Sequence, residues 1–164
     1  MRGKVWKFGD NISTDLIAAG RFYHLRSNLP ELAKHCLEDA DPNFAANVKP
    51  GDFVVGGRNF GLGSSREHAP VIIKLAGTAA VLAKSIARIF FRNAVNVGLP
   101  VVECDTDAFD AGDEIDVDLA AGVIKNITKG TTVTFHPLED AMRRILDDGG
   151  LVEHIKKHGD FAIS

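Results

Sequence analysis

The chain has 164 residues, 45% of them hydrophobic and 25% charged, with a net charge of −3. These values suit one soluble domain, 1–164, with a core of its own, and they supply no basic field for nucleic acid. No apolar run approaches the ~18 residues of a membrane span, and the start Met1-Arg2-Gly3-Lys4-Val5-Trp6 lacks the apolar region of a secretory signal, so a cytoplasmic location is expected.

The first predicted strand is Lys4–Phe8, ended by the turn signal Gly9-Asp10-Asn11. Residues 11–20 read as a loop with one short apolar piece, Leu16-Ile17. A helix follows, with Asn28 as its N-cap, Pro30 in the first turn and Glu31 completing the start signal. Its apolar face is Leu29, Leu32, Ala33, Cys36 and Leu37. Lys49-Pro50-Gly51-Asp52 turns into a strand at Phe53–Val55. After an unusual stretch at 56–70 come a helix to about Ala76, stopped by Gly77, and a buried strand at Ala79–Ala83. Ser85 is the expected cap of a helix over Ile86–Val97, closed by Gly98, and Pro100–Glu103 is the next strand. This strand–helix–strand–helix–strand order predicts parallel crossovers. The last third alternates apolar and polar residues in Glu114–Leu119, Val123–Ile127 and Thr131–Phe135, with turns between them, which predicts an antiparallel meander. Helices are expected at Leu138–Leu146 and Leu151–His158, separated by Gly149-Gly150.

The stretch Gly56-Gly57-Arg58-Asn59-Phe60-Gly61-Leu62-Gly63-Ser64-Ser65-Arg66-Glu67-His68-Ala69-Pro70 joins a strand to a helix. Its glycines permit positive φ and close approach to a ligand, and amides at a helix start attract anions. Ser64, Ser65 and the Arg66 guanidinium stand at the same place, and a guanidinium can grip a carboxylate through two parallel hydrogen bonds. The residues alone therefore predict a loop for carboxylate or phosphate. A tight Gly-rich turn with Ser65 as a helix cap is the plain structural alternative. The phosphate-loop and nucleophile-elbow patterns do not match, because no Gly-Lys-Ser/Thr follows and both serines come after the last glycine.

Asn59-Phe60-Gly61-x-Gly63-Ser64-Ser65-Arg66-Glu67-His68-Ala69 resembles the signature of the aconitase-superfamily swivel domain. Gly9-Asp10-Asn11-Ile12-Ser13-Thr14-Asp15 resembles that family's early loop, and Ala83-Lys84-Ser85-Ile86-Ala87-Arg88-Ile89-Phe90 with Asn93, Asn96 and Gly98-Leu99-Pro100 resembles its later strand–helix segment. The nearest branch is the 3-isopropylmalate dehydratase small subunits of leucine biosynthesis. The resemblance implies a swivelling β/β/α fold, here a mixed sheet with a C-terminal antiparallel meander. It implies a hydro-lyase subunit, active only with a large subunit in a heteromer, that isomerises a small hydroxy acid by dehydration and rehydration. It implies a [4Fe-4S] cluster held by that large subunit and none on this chain. By position, Ser64 is the expected base, with Asp15 beside it in the Thr-Asp loop. Gly63, Ser65 and Arg66 are expected to hold a substrate carboxylate. The bland reading of Asp15 is a turn residue bonded to its own backbone.

Cys36 and Cys104 form no Cys-x-x-Cys pair, and two thiols cannot supply the usual shell of an iron–sulfur cluster. His24, His35, His136, His154 and His158 are read as ordinary histidines outside any metal-ligand pattern, and His68 as a residue that orients the loop. The chain departs from the usual isopropylmalate pattern at Gly20-Arg21-Phe22-Tyr23-His24-Leu25-Arg26-Ser27. An isopropyl group calls for an apolar pocket, whereas Arg26 suits a second, distal carboxylate, as in aconitase- and homoaconitase-like members, unless it simply points to solvent; a homoaconitase or a related dehydratase acting on a tricarboxylic or dimethylmalate-like acid is therefore the second reading. A non-catalytic module binding carboxylate or RNA is the alternative from outside enzymology, and the intact Gly63-Ser64-Ser65-Arg66 and the lack of basic charge weigh against it.

Overall fold

The computed structural model describes residues 1–64 and 66–158, so Ser65 lies outside the described residues. Seven strands form one mixed sheet: β1 (Arg2–Lys7), β2 (Phe53–Val55), β3 (Ala80–Ala83), β4 (Val101–Glu103), β5 (Glu114–Asp118), β6 (Val123–Asn126) and β7 (Thr131–Thr134). Their order across the sheet is β4-β3-β2-β1-β5-β6-β7. The pairs β1–β2, β2–β3 and β3–β4 are parallel, and β5, β6 and β7 form the antiparallel meander read from the sequence.

Strand β1 joins the two halves. Its second half, Val5–Lys7, pairs in parallel with Phe53–Val55, while Arg2–Lys4 pairs antiparallel with residues 114–116 of β5. Side chains of the central strands alternate between two layers, as the two-residue period of a strand requires. Val54, Val81 and Ala83 face one core together with Ile17, Leu32, Phe44, Ile72 and Phe90 from the helical side. Phe53, Val55, Ala80 and Leu82 face the other, with Phe109, Ile115, Val117 and Ile124. The continuous apolar runs of β2 and β3 follow from burial on both faces.

The helices are α1 (Thr14–Ile17), α2 (Leu29–Ala33), α3 (Phe44–Asn47), α4 (His68–Leu75), α5 (Arg88–Asn96), α6 (Asp140–Asp147) and α7 (Leu151–His158). The Asn28 side chain caps α2 by accepting from the Glu31 amide, as the sequence predicts. Three expectations need correction. Residues 11–20 are not all loop: Ser13 caps the short helix α1, its hydroxyl accepting from the Leu16 amide, and Gly20–Leu25 is a 3-10 segment. Ser85 does not cap α5, which starts three residues later at Arg88; its hydroxyl accepts from the Asn59 amide at 2.8 Å and so braces the Gly-rich loop. His154 and His158 do not lie outside any metal-ligand pattern, for they stand four residues apart on α7, a spacing that puts both on one helix face.

Candidate active site

Two loops lie side by side and build the site. Gly57 N donates to Gly9 O, Asn11 N to Arg58 O, Gly61 N to Ile12 O and Thr14 N to Leu62 O, all between 2.7 and 3.0 Å. The early loop thus runs along the Gly-rich loop like an irregular strand pair. Asn11 and Asn59 both take positive φ, 58° and 57°, and their side chains hydrogen-bond at 3.1 Å. The third partner is the segment before α5: Phe60 N donates to Ser85 O and Ala87 N to Phe60 O. Gly61 has φ 82°, and a Cβ there would lie 2.3 Å from the Phe90 ring, so glycine is required for the loop to pass over α5.

These contacts bring three of the sequence-predicted residues, Gly63, Ser64 and Arg66, to one pocket of about 230 Å³ that Thr14, Arg88 and Asn93 also line. Ser64 is exposed there, and its backbone carbonyl accepts from Thr14 Oγ1 at 2.9 Å, which fixes the peptide that carries the hydroxyl. Arg66 is mostly covered, at 22% exposure. One guanidinium nitrogen donates to Ala18 O at 2.8 Å, and the other lies 3.3 Å from Asp15 Oδ1. A guanidinium carries five N–H donors, more than these contacts use. Asp15 Oδ1 also accepts from Gly20 N at 3.2 Å. Asp15 therefore contacts Arg66 and does not line the pocket itself.

Arg26, expected to bind substrate, does not line this pocket. Its guanidinium stacks over the Tyr23 ring at 4.4 Å and donates to Tyr23 O at 3.1 Å. The Tyr23 ring lies 6.1 Å from the ring of His68, the first residue of α4. Burial holds the His68 imidazole below its ordinary pKa, and the positive charges of Arg66 and Arg26 push it the same way against a weaker pull from Glu67. The charges of Arg66 and Arg26 thus both bear on His68. The sequence reading left Thr14 outside the site; its hydroxyl bond to Ser64 spans 50 residues of chain, and nothing in local spacing announces such a contact. Arg88, the first residue of α5, lines the same pocket.

The chain's own thiols do not fit an iron–sulfur cluster. Cys36 is buried in the helical core and Cys104 packs against the opposite one. Burial raises both thiol pKa values, that of Cys104 to about 12, far from the thiolate that metal ligation requires.

Residues 10–106 match the model of the aconitase C-terminal domain, so the chain belongs to that family, and within it the chain is a hydro-lyase subunit of the small-subunit kind. It is 61% identical over 163 residues to a 3-isopropylmalate dehydratase small subunit of Archaeoglobus fulgidus, covering 99% of each chain. It is 58% identical to a counterpart in Thermotoga maritima, with 98% of each covered. It is also 53% identical to a methanogen homoaconitase small subunit of Methanothermobacter thermautotrophicus, covering 100% of this chain and 95% of the other. Among solved structures it superposes on a 3-isopropylmalate dehydratase from Methanocaldococcus jannaschii with a TM-score of 0.92 at 44% identity, covering 96% and 94% of the two chains.

Proposed function

We propose that this chain is the small subunit of a 3-isopropylmalate dehydratase and forms one wall of an active site completed by a large subunit. The observation that carries this reading is the meeting of Ser64, Arg66 and Arg88 in one pocket of a chain whose full-length relatives bear that name. A [4Fe-4S] cluster on the large subunit supplies the Lewis acid of the dehydration. The residues of this chain bind and orient the acid and move the proton. Arg66, with Ser65 and the Gly63 peptide, receives a substrate carboxylate. The Ser64 hydroxyl, as alkoxide, takes the proton from the carbon beside the departing hydroxyl and returns it on rehydration. A free serine is a weak base, and the Arg66 and Arg88 charges offset the cost of the alkoxide within the closed complex.

A second reading, homoaconitase, is favoured by one feature, Arg26 near His68 with its guanidinium fixed over Tyr23. An arginine there would receive a distal carboxylate. The test is reconstitution with the large subunit under anaerobic conditions, followed by kcat/KM for 3-isopropylmalate and for a homocitrate-type acid. Turnover of isopropylmalate that requires both subunits is expected. A preference for the tricarboxylic acid would install the second reading, and full activity of either subunit alone would sink both.

A further inference from the structure

The far end of the helical layer holds a cluster that the reaction does not use. Helix α6 ends at Asp148, and the chain turns through Gly149 and Gly150 with φ 90° and 124°. This corner is clamped to the end of α5. A Cβ on Gly150 would come within 2.6 Å of Asn96 O, and Lys74 Nζ donates to both Val97 O and Gly149 O. Helix α7 leaves the corner with the His154 amide bonded to Gly150 O at 2.9 Å. His154 Nδ1 then lies 2.6 Å, and His158 Nε2 3.1 Å, from the same carboxylate oxygen, Oδ2 of Asp148.

We infer that Asp148, His154 and His158 form a binding site for a divalent transition metal of the zinc class. The ligand atoms of the three side chains lie within 4.8 Å of one another. A tetrahedral ion with bonds of about 2.0–2.2 Å sets its ligand atoms about 3.3 Å apart. The His158 separation of 3.1 Å is near that value, the His154 separation of 2.6 Å has to open by about 0.7 Å as the ion enters, and imidazole rotation adjusts the third. Two imidazoles with one carboxylate suit zinc, cobalt or nickel, whereas calcium and magnesium select oxygen. The ion takes the place of the hydrogen bonds between the imidazole nitrogens and Oδ2, and a neutral imidazole that ligates through one ring nitrogen carries its proton on the other. Lys157 Nζ, the one further charge against Asp148 among the described residues, meets Oδ1 at 3.1 Å. It leaves Oδ2 to the ion and serves as an outer partner that orients the carboxylate.

Burial separates this cluster from an incidental surface one. His154 is fully buried and Asp148 is 8% exposed, while His158 is 39% exposed and marks the side from which an ion enters. An occupied site ties α7 to the end of α6, and both pack on α5, whose first turns line the substrate pocket through Arg88 and Asn93. The site is thus a structural tie, distant in kind from the Lewis-acid iron of the large subunit.

The test uses the tag-free full chain stripped with a chelator. Calorimetric titration with zinc and elemental analysis after dialysis should find a single ion per chain. Cobalt should give the visible absorption of a tetrahedral site, and zinc should raise the melting temperature. His158→Gln, at the exposed position, should keep the metal-free melting temperature and weaken zinc binding by at least about tenfold, since even outer-partner losses cost 10–100-fold. Asp148→Asn should weaken it as well. No binding by the wild type at micromolar zinc, or wild-type affinity in His158→Gln, overturns the assignment.

Discussion

The guanidinium of Arg66 lies 3.3 Å from Asp15 Oδ1, across 51 positions of sequence, and this contact holds the cation at the mouth of the pocket. Asp15 is 67% exposed, so the pair itself contributes only about 0–1 kcal/mol to stability. Asp15→Asn should leave the melting temperature nearly unchanged and lower kcat/KM by misplacing Arg66. Thermal melts alongside steady-state kinetics of the reconstituted complex separate the two effects. A kcat/KM equal to that of the wild type would return Asp15 to the role of a simple turn residue.

Ser64→Ala should reduce kcat by about 10²–10⁴-fold, the usual worth of a positioned acid–base group. KM should change far less, because the lost interaction belongs to the transition state. The bond from Thr14 Oγ1 to the Ser64 carbonyl survives the change, so folding and partner binding should persist in melts and gel filtration. Near-normal turnover would move the proton to Ser65.

Arg26→Val tests specificity. Loss of a charge-assisted contact to a distal carboxylate costs on the order of 2–5 kcal/mol, hence roughly tens to thousands in kcat/KM for a homocitrate-type acid. An isopropyl-bearing acid should be spared, or gain at most about 1–3 kcal/mol from the apolar wall. Equal small changes for both acids would show that the arginine serves only its stacking on Tyr23.

His68 gives a pH signature of known sign. Its pKa is depressed in the folded chain, first by burial and then by Arg66 and Arg26. The unfolded chain therefore binds the proton more readily between the folded value and the ordinary 6.5. Stability must fall as pH is lowered through that window and level off below it. Urea unfolding of wild type against His68→Gln should show the slope shrinking in the variant. An NMR titration should place His68 below its usual midpoint, and a midpoint at or above 6.5 would show that neither burial nor the two arginines governs its charge.

Gly61→Ala should destabilise the chain by about 1–3 kcal/mol, the scale of left-handed backbone strain, because φ is 82° and the added methyl meets the Phe90 ring. Denaturant midpoints measure this. A neutral change would mean that the loop passes α5 more loosely than described.

Much of this was legible before any coordinates. The strand Phe53–Val55, the Asn28 cap, the two glycine-stopped helices and the meander follow from signals that are local in sequence. The anion loop was legible for the same reason, since its glycines, serines and arginine are contiguous. Contacts made across the fold were not. Ser85 has the look of a helix cap, yet its hydroxyl answers the Asn59 amide, 26 residues away. Asp52 reads as a turn residue, yet it is buried and accepts from the Trp6 indole at 3.0 Å. The spacing of His154 and His158 was in plain view, and only the arrival of Asp148 from another helix gives it meaning.

The division of labour along β1 has a consequence for how the molecule opens. Its first three residues belong to the meander and its last three to the half of the sheet that carries the site. Peeling the meander away exposes the amides of β1, whose other half anchors Phe53–Val55 and, just beyond it, the Gly-rich loop. Partial unfolding from the C-terminal strands therefore reaches the loop through six residues of shared strand. Hydrogen exchange should report the amides of β1, β2 and β5 leaving together, as one cooperative unit rather than two. A protease hunting for a nick between the halves finds no hinge there, only a strand that both of them need.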